Sequence, residues 1–213
     1  MRLTRRRVRA PDATREKLLR AAFEEMYRHG FQAASLDAIL AKAGVTKGAL
    51  YHHFPDKAAL GYAVVDEVVR RPVLEAYLGR LDPESRDPLT ELQEMLRRRA
   101  REFTDATVMF GCPLNNLAQE MSPLDERFRR RLAAALKAWT DGFAAALKRG
   151  QAAGTVRRDV DARKVAAFVV AAVEGSFGMA KNARSAAVLR SNLDVLGEFL
   201  EGLRAGRASG VRV

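Results

Sequence analysis

The stretch from Ser35 to Leu60 reads SLDAILAKAGVTKGALYHHFPDKAAL and decides the fold. Ser35 precedes apolar residues at helical spacing, which predicts a capped helix ending near Ala43. Gly44 follows where the chain must reverse, and glycine reaches left-handed backbone angles at little cost. Thr46 is then placed to cap a second short helix. Two short helices joined by a glycine turn predict a helix-turn-helix.

The second helix of this pair presents Lys47, Gly48, Tyr51 and His52 away from its apolar face. A cation and a phenol four residues apart can reach phosphates and base edges, while Gly48 allows close approach of a backbone. The alternative interpretation is a small helical hairpin whose polar face is merely solvated. The neighbouring residues favour a helix that enters a DNA groove.

Two segments carry a resemblance to a known family. The run Gly44 to Lys57, GVTKGALYHHFPDK, resembles the amino-terminal signature of TetR-family transcriptional regulators, as does Thr14 to Ala22, TREKLLRAA, with Gly30-Phe31. The match covers roughly Thr14 to Leu60 and its spacing is specific. One departure is Ala38-Ile39-Leu40, where the family more often shows an acidic residue, Ile and Ala; this alters helix packing rather than the DNA-reading face.

The resemblance implies a DNA-binding domain followed by a dimerising, ligand-binding domain. It also implies that Lys47 and Gly48 contact base edges or the groove. Phosphate contacts would then come from Ser35, Thr46, Tyr51, His53 and Lys57, and His52 is a further candidate on the same helix.

The charge of the chain fits a nucleic-acid partner. It has 37 Lys and Arg against 26 Asp and Glu, a net charge of +11, so it should be drawn to polyanions. Five arginines lie in the first nine positions, which predicts a disordered basic arm over residues 1–11 that follows phosphates or enters a minor groove. The alternative is a solubilising tail.

The composition predicts an all-α protein. With 48% hydrophobic residues, only 7 Pro and long Ala, Leu and Arg runs, the chain should be mostly helical. We expect a three-helix amino-terminal helix-turn-helix domain over residues 12–54, with a helical-bundle regulatory and dimerisation domain over residues 55–204 and a flexible tail over residues 205–213. Pro72 should kink or end the helix that begins after Asp56.

Other protein classes are disfavoured. No run of about 18 apolar residues exists, and the basic start lacks the apolar segment of a secretory signal, so we expect a cytoplasmic protein without a membrane partner. A single Cys rules out an intrachain disulfide and argues against a Cys-based zinc site, and no cofactor or metal is expected.

A ligand chamber is predicted in the second domain. A helix from about Leu124 to Ala153 carries Trp139 and Phe143 on one apolar stripe, which is either plain core or the wall of a cavity. The segment from Phe110 to Met121 resembles a Gly-Cys-Pro-Leu or Gly-Cys-Leu-Leu stretch of the ligand-chamber wall in one branch of the same family. Candidate ligand-binding residues are Phe103, Asn115, Asn116, Glu120, Trp139, Phe143 and Phe177.

Cys112 supports a second hypothesis, in which a thiol sensor releases DNA when it is modified. A thiol at a helix amino terminus can have a lowered pKa because the helix dipole favours the thiolate. Against this, a lone Cys ordinarily acts as a small buried hydrophobe, and no Lys or Arg lies within four positions.

The last two helices predict a homodimer. Their apolar faces are too wide for one partner, so a four-helix bundle formed by two subunits would bury them. The run VEGSFG, Val173 to Gly178, resembles the dimerisation helix of the family. Candidate interface residues are Phe168, Ala172, Leu193, Leu196 and Leu200. Two-fold symmetry would then place two reading helices in major grooves about 34 to 36 Å apart, or at a multiple of that, on a palindromic double-stranded operator.

We therefore expect a repressor that a small apolar or amphipathic effector releases from DNA, although the residues do not fix the sign and activators exist among similar proteins. A helical enzyme is disfavoured because His52 and His53 are adjacent and point about 100° apart on a helix. A non-specific architectural DNA binder stays open, since it would bind random duplexes as strongly as an operator.

Overall fold

The computed structural model describes residues 13–206, and its regular elements are helices, as the composition predicted. The chain divides into two compact units between Val69 and Arg70. The predicted basic arm, and the predicted tail from residue 207 onward, lie outside the described residues.

The first unit is built around its amino-terminal helix, which packs on each of the other helices of the unit. Leu18 and Ala22 of that helix, Ile39 and Leu50 are buried to 1% exposure or less, because they recur at helical spacing on faces that meet. Phe23 of the same amino-terminal helix is only half-buried and stacks on Tyr27. The helices are α1 Ala13–His29, α2 Leu36–Ala43, α3 Lys47–His53 and α4 Lys57–Ala63, followed by a π-helical segment Val64–Val69.

The second unit is a bundle around one long helix that packs against four others. The last helix of the bundle packs on both the preceding helix and the helix that begins at Pro88. The helices are α5 Arg70–Leu78, α6 Pro88–Glu102, α7 Asp105–Val108, α8 Pro113–Met121, α9 Glu126–Ala153, α10 Ala162–Ala183 and α11 Ala186–Glu201. The short α7 had no counterpart in the sequence prediction.

Pro72 was predicted to kink or end its helix, and the structure excludes the second of these outcomes. Helical structure continues through Pro72 in α5 to Leu78, and the irregularity lies earlier, in the π-helical segment. A proline ring clashes with the carbonyl four residues before it, and a wider π turn relieves such a clash. The contacts also assign Pro55 to Val69 to the first unit, whereas the sequence prediction ended that domain at residue 54.

The chain after α11 is tied to the second unit through residue 205. Arg204 forms an isolated bridge with Val156, and the Ala205 N–H donates to the Thr155 carbonyl at 3.0 Å. The Arg204 guanidinium also donates to both carboxylate oxygens of Asp87 at 3.0 and 3.1 Å. Ala205, which the sequence prediction placed in the flexible tail, is therefore hydrogen-bonded.

Candidate nucleic-acid interface and interior polar cluster

The helix-turn-helix forms with the caps that the sequence predicts. Ser35 Oγ accepts from the Ala38 N–H at 3.3 Å at the start of α2, and Thr46 Oγ1 accepts from the Ala49 N–H at 3.2 Å at the start of α3. Gly44 ends α2 in the left-handed region with φ of 66°. These local contacts fix the turn that sets the direction of α3.

The outward face of α3 is open to a large partner. Lys47, Gly48, Tyr51 and His52 are exposed, while Leu50 on the opposite face is buried. The Lys47 Nζ lies 6.0 Å from the centre of the Tyr51 ring, so a cation and a phenol share one patch. A Cβ added at Gly48 would meet only Thr46 Oγ1, at 3.8 Å, so the first unit itself leaves that side of the helix open.

The remaining predicted DNA contacts divide into two groups. Ser35 and Thr46 are exposed, and they cap the first turns of α2 and α3. Lys57 instead makes contacts within the first unit. Its Nζ donates to the Gln32 carbonyl at 3.0 Å and lies 5.1 Å from the Phe31 ring centre. His53 is half-buried beside the His52 ring.

The predicted aromatic ligand residues come together inside the second unit. Trp139 stacks on Tyr77 with ring centres 3.9 Å apart, and Phe143 meets Trp139 edge-on at 6.0 Å. Phe103 meets Phe177 edge-on at 4.9 Å. The Trp139, Phe143 and Phe177 side chains are fully buried. Tyr77 was not among the candidates, although it lies on the helix after Pro72.

Polar groups that sequence reasoning missed lie among these rings. The Arg99 guanidinium carbon lies 5.1 Å from the Tyr77 ring centre and 4.9 Å from that of Phe103, while the same group is ion-paired with Glu102. Glu174 on α10 is 7% exposed. A signal existed in the sequence, because Glu174 is a carboxylate within an Ala- and Val-rich helix.

Several of these buried polar atoms lack hydrogen-bond partners within the described residues. They are the Tyr77 hydroxyl, Trp139 Nε1, Arg99 Nε and both carboxylate oxygens of Glu174. Burial raises the pKa of Glu174 to about 7, although the Cys112 thiol and the Arg99 charge each lower it. Burial also raises the pKa of Tyr77. An unpartnered buried polar group costs about 1–3 kcal/mol, so a cluster of them requires an explanation.

Cys112 does not have the lowered pKa that the thiol-sensor hypothesis needs. Its thiol is buried, and burial raises its pKa well above the usual value, with the nearby Glu174 carboxylate raising it further. Backbone N–H groups of Asn115 and Leu114 at the start of α8 lower it, but they are outweighed. The helix amino terminus is present, as predicted, but its lowering effect on the thiol pKa is smaller than the raising effect of desolvation.

The predicted polar anchors of the ligand lie on half-buried positions of α8. Asn116 donates to the Phe110 carbonyl at 2.7 Å and accepts from Lys181 Nζ at 3.2 Å, so it holds the loop before α8 to α10. Asn115 and Glu120 lie on the same helix. The side chains of Asn115, Asn116 and Glu120 contribute no atom to the set of buried polar atoms that lack a hydrogen-bond partner.

The predicted dimer residues fall into two groups, one accessible to a partner and one buried within the protomer. Phe168 is 54% exposed and Ala172 is half-buried, so both remain accessible. Leu193, Leu196 and Leu200 are buried in their own protomer, where α11 packs on α6 and α10, so a partner cannot reach them in this conformation. The exposed apolar side chains of α10 and α11 are instead Phe168, Met179, Val195 and Phe199, which we call the apolar patch.

Two kinds of feature are absent from the described part of the chain. Residues 13–206 contain no group of three or more His, Cys, Asp or Glu side chains arranged to hold a metal ion. Within the same range, every helix is too short or too polar to traverse a lipid bilayer.

Family models match both units. Residues 18–64 match the model described as bacterial regulatory proteins of the tetR family, and residues 88–193 match the LmrA/YxaF-like transcriptional regulator carboxy-terminal domain. The transcriptional regulator AcuR of Cereibacter sphaeroides is 32% identical over 81% of this chain and 79% of its own length. The transcriptional repressor DhaR of a Mycobacterium species is 28% identical over 87% and 91%.

A solved structure agrees with these sequence matches. The regulatory protein TetR from Rhodobacter sphaeroides superposes with a TM-score of 0.76 at 29% identity, covering 87% of this chain and 97% of its own. The exposed reading helix, the two family models and these relatives together show that the chain belongs to the TetR family of DNA-binding transcriptional regulators.

Proposed function

We propose that this chain represses transcription by binding a palindromic operator as a homodimer, and that a small apolar or amphipathic effector releases it. The observation that carries the proposal is the outward face of α3, where Lys47 and Tyr51 flank an open Gly48. Repression is favoured because the relative DhaR is named a repressor. We also expect the protein to act in the cytoplasm, where its DNA partner lies.

The proposed release rests on a difference in effector affinity between two conformers. An effector that binds the conformer with low DNA affinity more tightly by about 1–3 kcal/mol weakens DNA binding about 5- to 150-fold. The aromatic interior of the second unit supports this role, because ligand pockets are lined mainly by apolar and aromatic side chains.

The apolar patch supports a homodimer. Phe168 and Phe199 pack edge-on at 5.1 Å and stay exposed together, so one protomer offers a joined aromatic surface to another. Gly175 and Gly178 on α10 have open space where a Cβ would lie, which permits close approach of a partner helix. A two-fold dimer would present two copies of α3 to a palindromic site.

Gly48→Ala is the sharpest test of the DNA-binding face. Alanine favours a helix over glycine by about 0.8–1 kcal/mol, and the new methyl meets only Thr46 Oγ1, so the variant should fold at least as stably as the parent. If the backbone at Gly48 approaches DNA, the methyl should weaken operator binding at least about tenfold. Binding is measured by fluorescence anisotropy on a duplex selected from a random pool.

A matched control separates DNA contact from general helix effects. Gly197→Ala also adds a methyl into open space within a helix, but on α11 beside Gln93 of α6, and should leave the affinity of each α3 for DNA unchanged. Parent-like operator binding by Gly48→Ala would contradict the assignment of this face. Equal affinity of the parent for the selected and random duplexes would favour an architectural DNA binder instead.

A further inference from the structure

Four buried polar side chains of the second unit form one connected cluster. Glu174 on α10 lies beside the Cys112 thiol, and the charge of Glu174 also acts on Tyr77. Tyr77 stacks on Trp139, and the Arg99 guanidinium lies over the rings of both Tyr77 and Phe103. We call Tyr77, Arg99, Trp139 and Glu174 the polar cluster. Its members come from four different helices: α5, α6, α9 and α10.

The cluster is short of both kinds of hydrogen-bond partner. Trp139 Nε1 and Arg99 Nε are donors without an acceptor, and Glu174 has no donor stronger than the Cys112 thiol, whose hydrogen bond lowers its pKa, while the Tyr77 hydroxyl faces only the Arg99 guanidinium. Glu174, Tyr77 and Trp139 are each at least nine-tenths buried, so water outside the protein does not satisfy them. A molecule that carries one hydroxyl can donate to the carboxylate and accept from the indole or phenol.

The charges of the cluster favour an uncharged molecule. The Arg99 charge acts on Glu174, so the two groups are close enough to share one environment. A cation would be attracted by Glu174 but repelled by Arg99, and an anion would meet the reverse. Arg99 already has the carboxylate of Glu102 as an ion-pair partner. The aromatic walls, which include Phe103, Phe177 and Phe143, then suit a flat apolar frame.

We propose that the effector is an uncharged aromatic compound with at least one O–H or N–H donor, and that its polar end binds Tyr77, Trp139 and Glu174. This inference rests on the proposed function, because it specifies the effector class of the proposed repressor. A ligand that binds Trp139 displaces the Tyr77 ring, because that ring already covers Trp139 with the ring centres 3.9 Å apart. Tyr77 belongs to α5, the first helix of the second unit, so the displacement reaches the unit boundary.

A matched set of naphthalene compounds tests the class by isothermal titration calorimetry without DNA. 2-Naphthol offers a donor and an acceptor, 2-methoxynaphthalene only an acceptor, 2-naphthylmethylammonium a cation and 2-naphthoate an anion. The full-length parent should bind 2-naphthol at least about tenfold more tightly than the methoxy compound, and more tightly than either ion, since an unmade buried hydrogen bond is costly. Equal affinities, tighter binding of either ion, or no binding at about 1 mM of any compound would overturn the proposal.

Variants locate the site. Glu174→Gln should reduce the preference for 2-naphthol to less than about threefold and raise the melting temperature, because it removes the buried carboxylate. A residue that only supports the fold would lower both stability and binding. Glu94→Gln, on the exposed face of α6, is the matched control and should keep the full preference. A full preference in Glu174→Gln would overturn the assignment of Glu174.

A second variant guards against misfolding of the first. Tyr77→Phe keeps the ring stack and removes only the hydroxyl, and it should weaken binding of both 2-naphthol and the methoxy compound at least about threefold, because the oxygen of each accepts from that hydroxyl. Unchanged 2-naphthol binding would contradict the site. Because these titrations contain no DNA, they fail independently of the operator selection. Selective operator binding without 2-naphthol preference would refute only the effector class, and the converse would refute the repressor.

Discussion

At the scale of single residues, Glu174 is a buried carboxylate whose apolar surroundings disfavour its charged form. Its pKa is about 7 in the folded protein against an ordinary value of 4.5. Between these two pH values the folded state holds a proton that the unfolded state has released, so stability falls as pH rises. Below about 4.5 both states are protonated, and above about 7 the full penalty is present.

The pH dependence of unfolding should therefore change in Glu174→Gln. Relative to the variant, the parent should lose on the order of 3 kcal/mol of unfolding free energy between about pH 4.5 and pH 7. The groups acting on Glu174 are Cys112, Arg99 and Tyr77, and the first two lower its pKa. Urea titrations followed by the fluorescence of Trp139, the single Trp of the chain, measure the difference. Parallel stability curves for parent and variant would exclude the shifted carboxylate.

At the scale of elements, the turn between α2 and α3 depends on Gly44. Its φ is 66° and a Cβ there would meet nothing within 4 Å, so any cost of substitution is backbone strain alone. Gly44→Ala should lower the unfolding free energy by about 1–2 kcal/mol, and Gly44→Asn by less, since Asn tolerates this region. Urea denaturation followed by circular dichroism checks the order.

Gly154 provides the control at this scale. It ends α9 with φ of 77° and equally open surroundings, so Gly154→Ala should cost a similar amount in the second unit. Only Gly44→Ala should also weaken operator binding, because only that turn sets the direction of α3. Equal effects of the two variants on DNA affinity would show that the loss is general destabilisation.

At the scale of the whole molecule, the apolar patch governs assembly. Val195 is 62% exposed on α11, and Val195→Arg places a charge where a second protomer would bury it, which costs several kcal/mol in an apolar interface. The parent should sediment as a dimer and the variant largely as a monomer at micromolar concentration in analytical ultracentrifugation.

Leu124→Arg is the matched control for that experiment. Leu124 is 60% exposed in the loop before α9, outside the apolar patch, so its replacement should leave the dimer intact. A monomeric parent, or a dimer that survives Val195→Arg, would remove the proposed interface and with it the expectation of a palindromic operator.

The sequence by itself determined the all-α fold class and the helix-turn-helix, although not the short α7. The Ser35 and Thr46 caps, the Gly44 turn and the exposure of Lys47 and Tyr51 depend on neighbours within a few positions, so the local pattern was sufficient. The aromatic interior around Trp139 and Phe143 was also foreseen, because helical periodicity marks an inward stripe.

Only the tertiary structure decided the properties that depend on distant parts of the chain. Burial raised the pKa of both Glu174 and Cys112, and for the thiol it outweighed the helix amino terminus that the sensor hypothesis relied on. The leucines of α11 were assigned to the dimer because periodicity shows that a face is apolar but not which helix covers it. Desolvation is a sum over every atom packed around a group, and that sum exists only once the helices have come together.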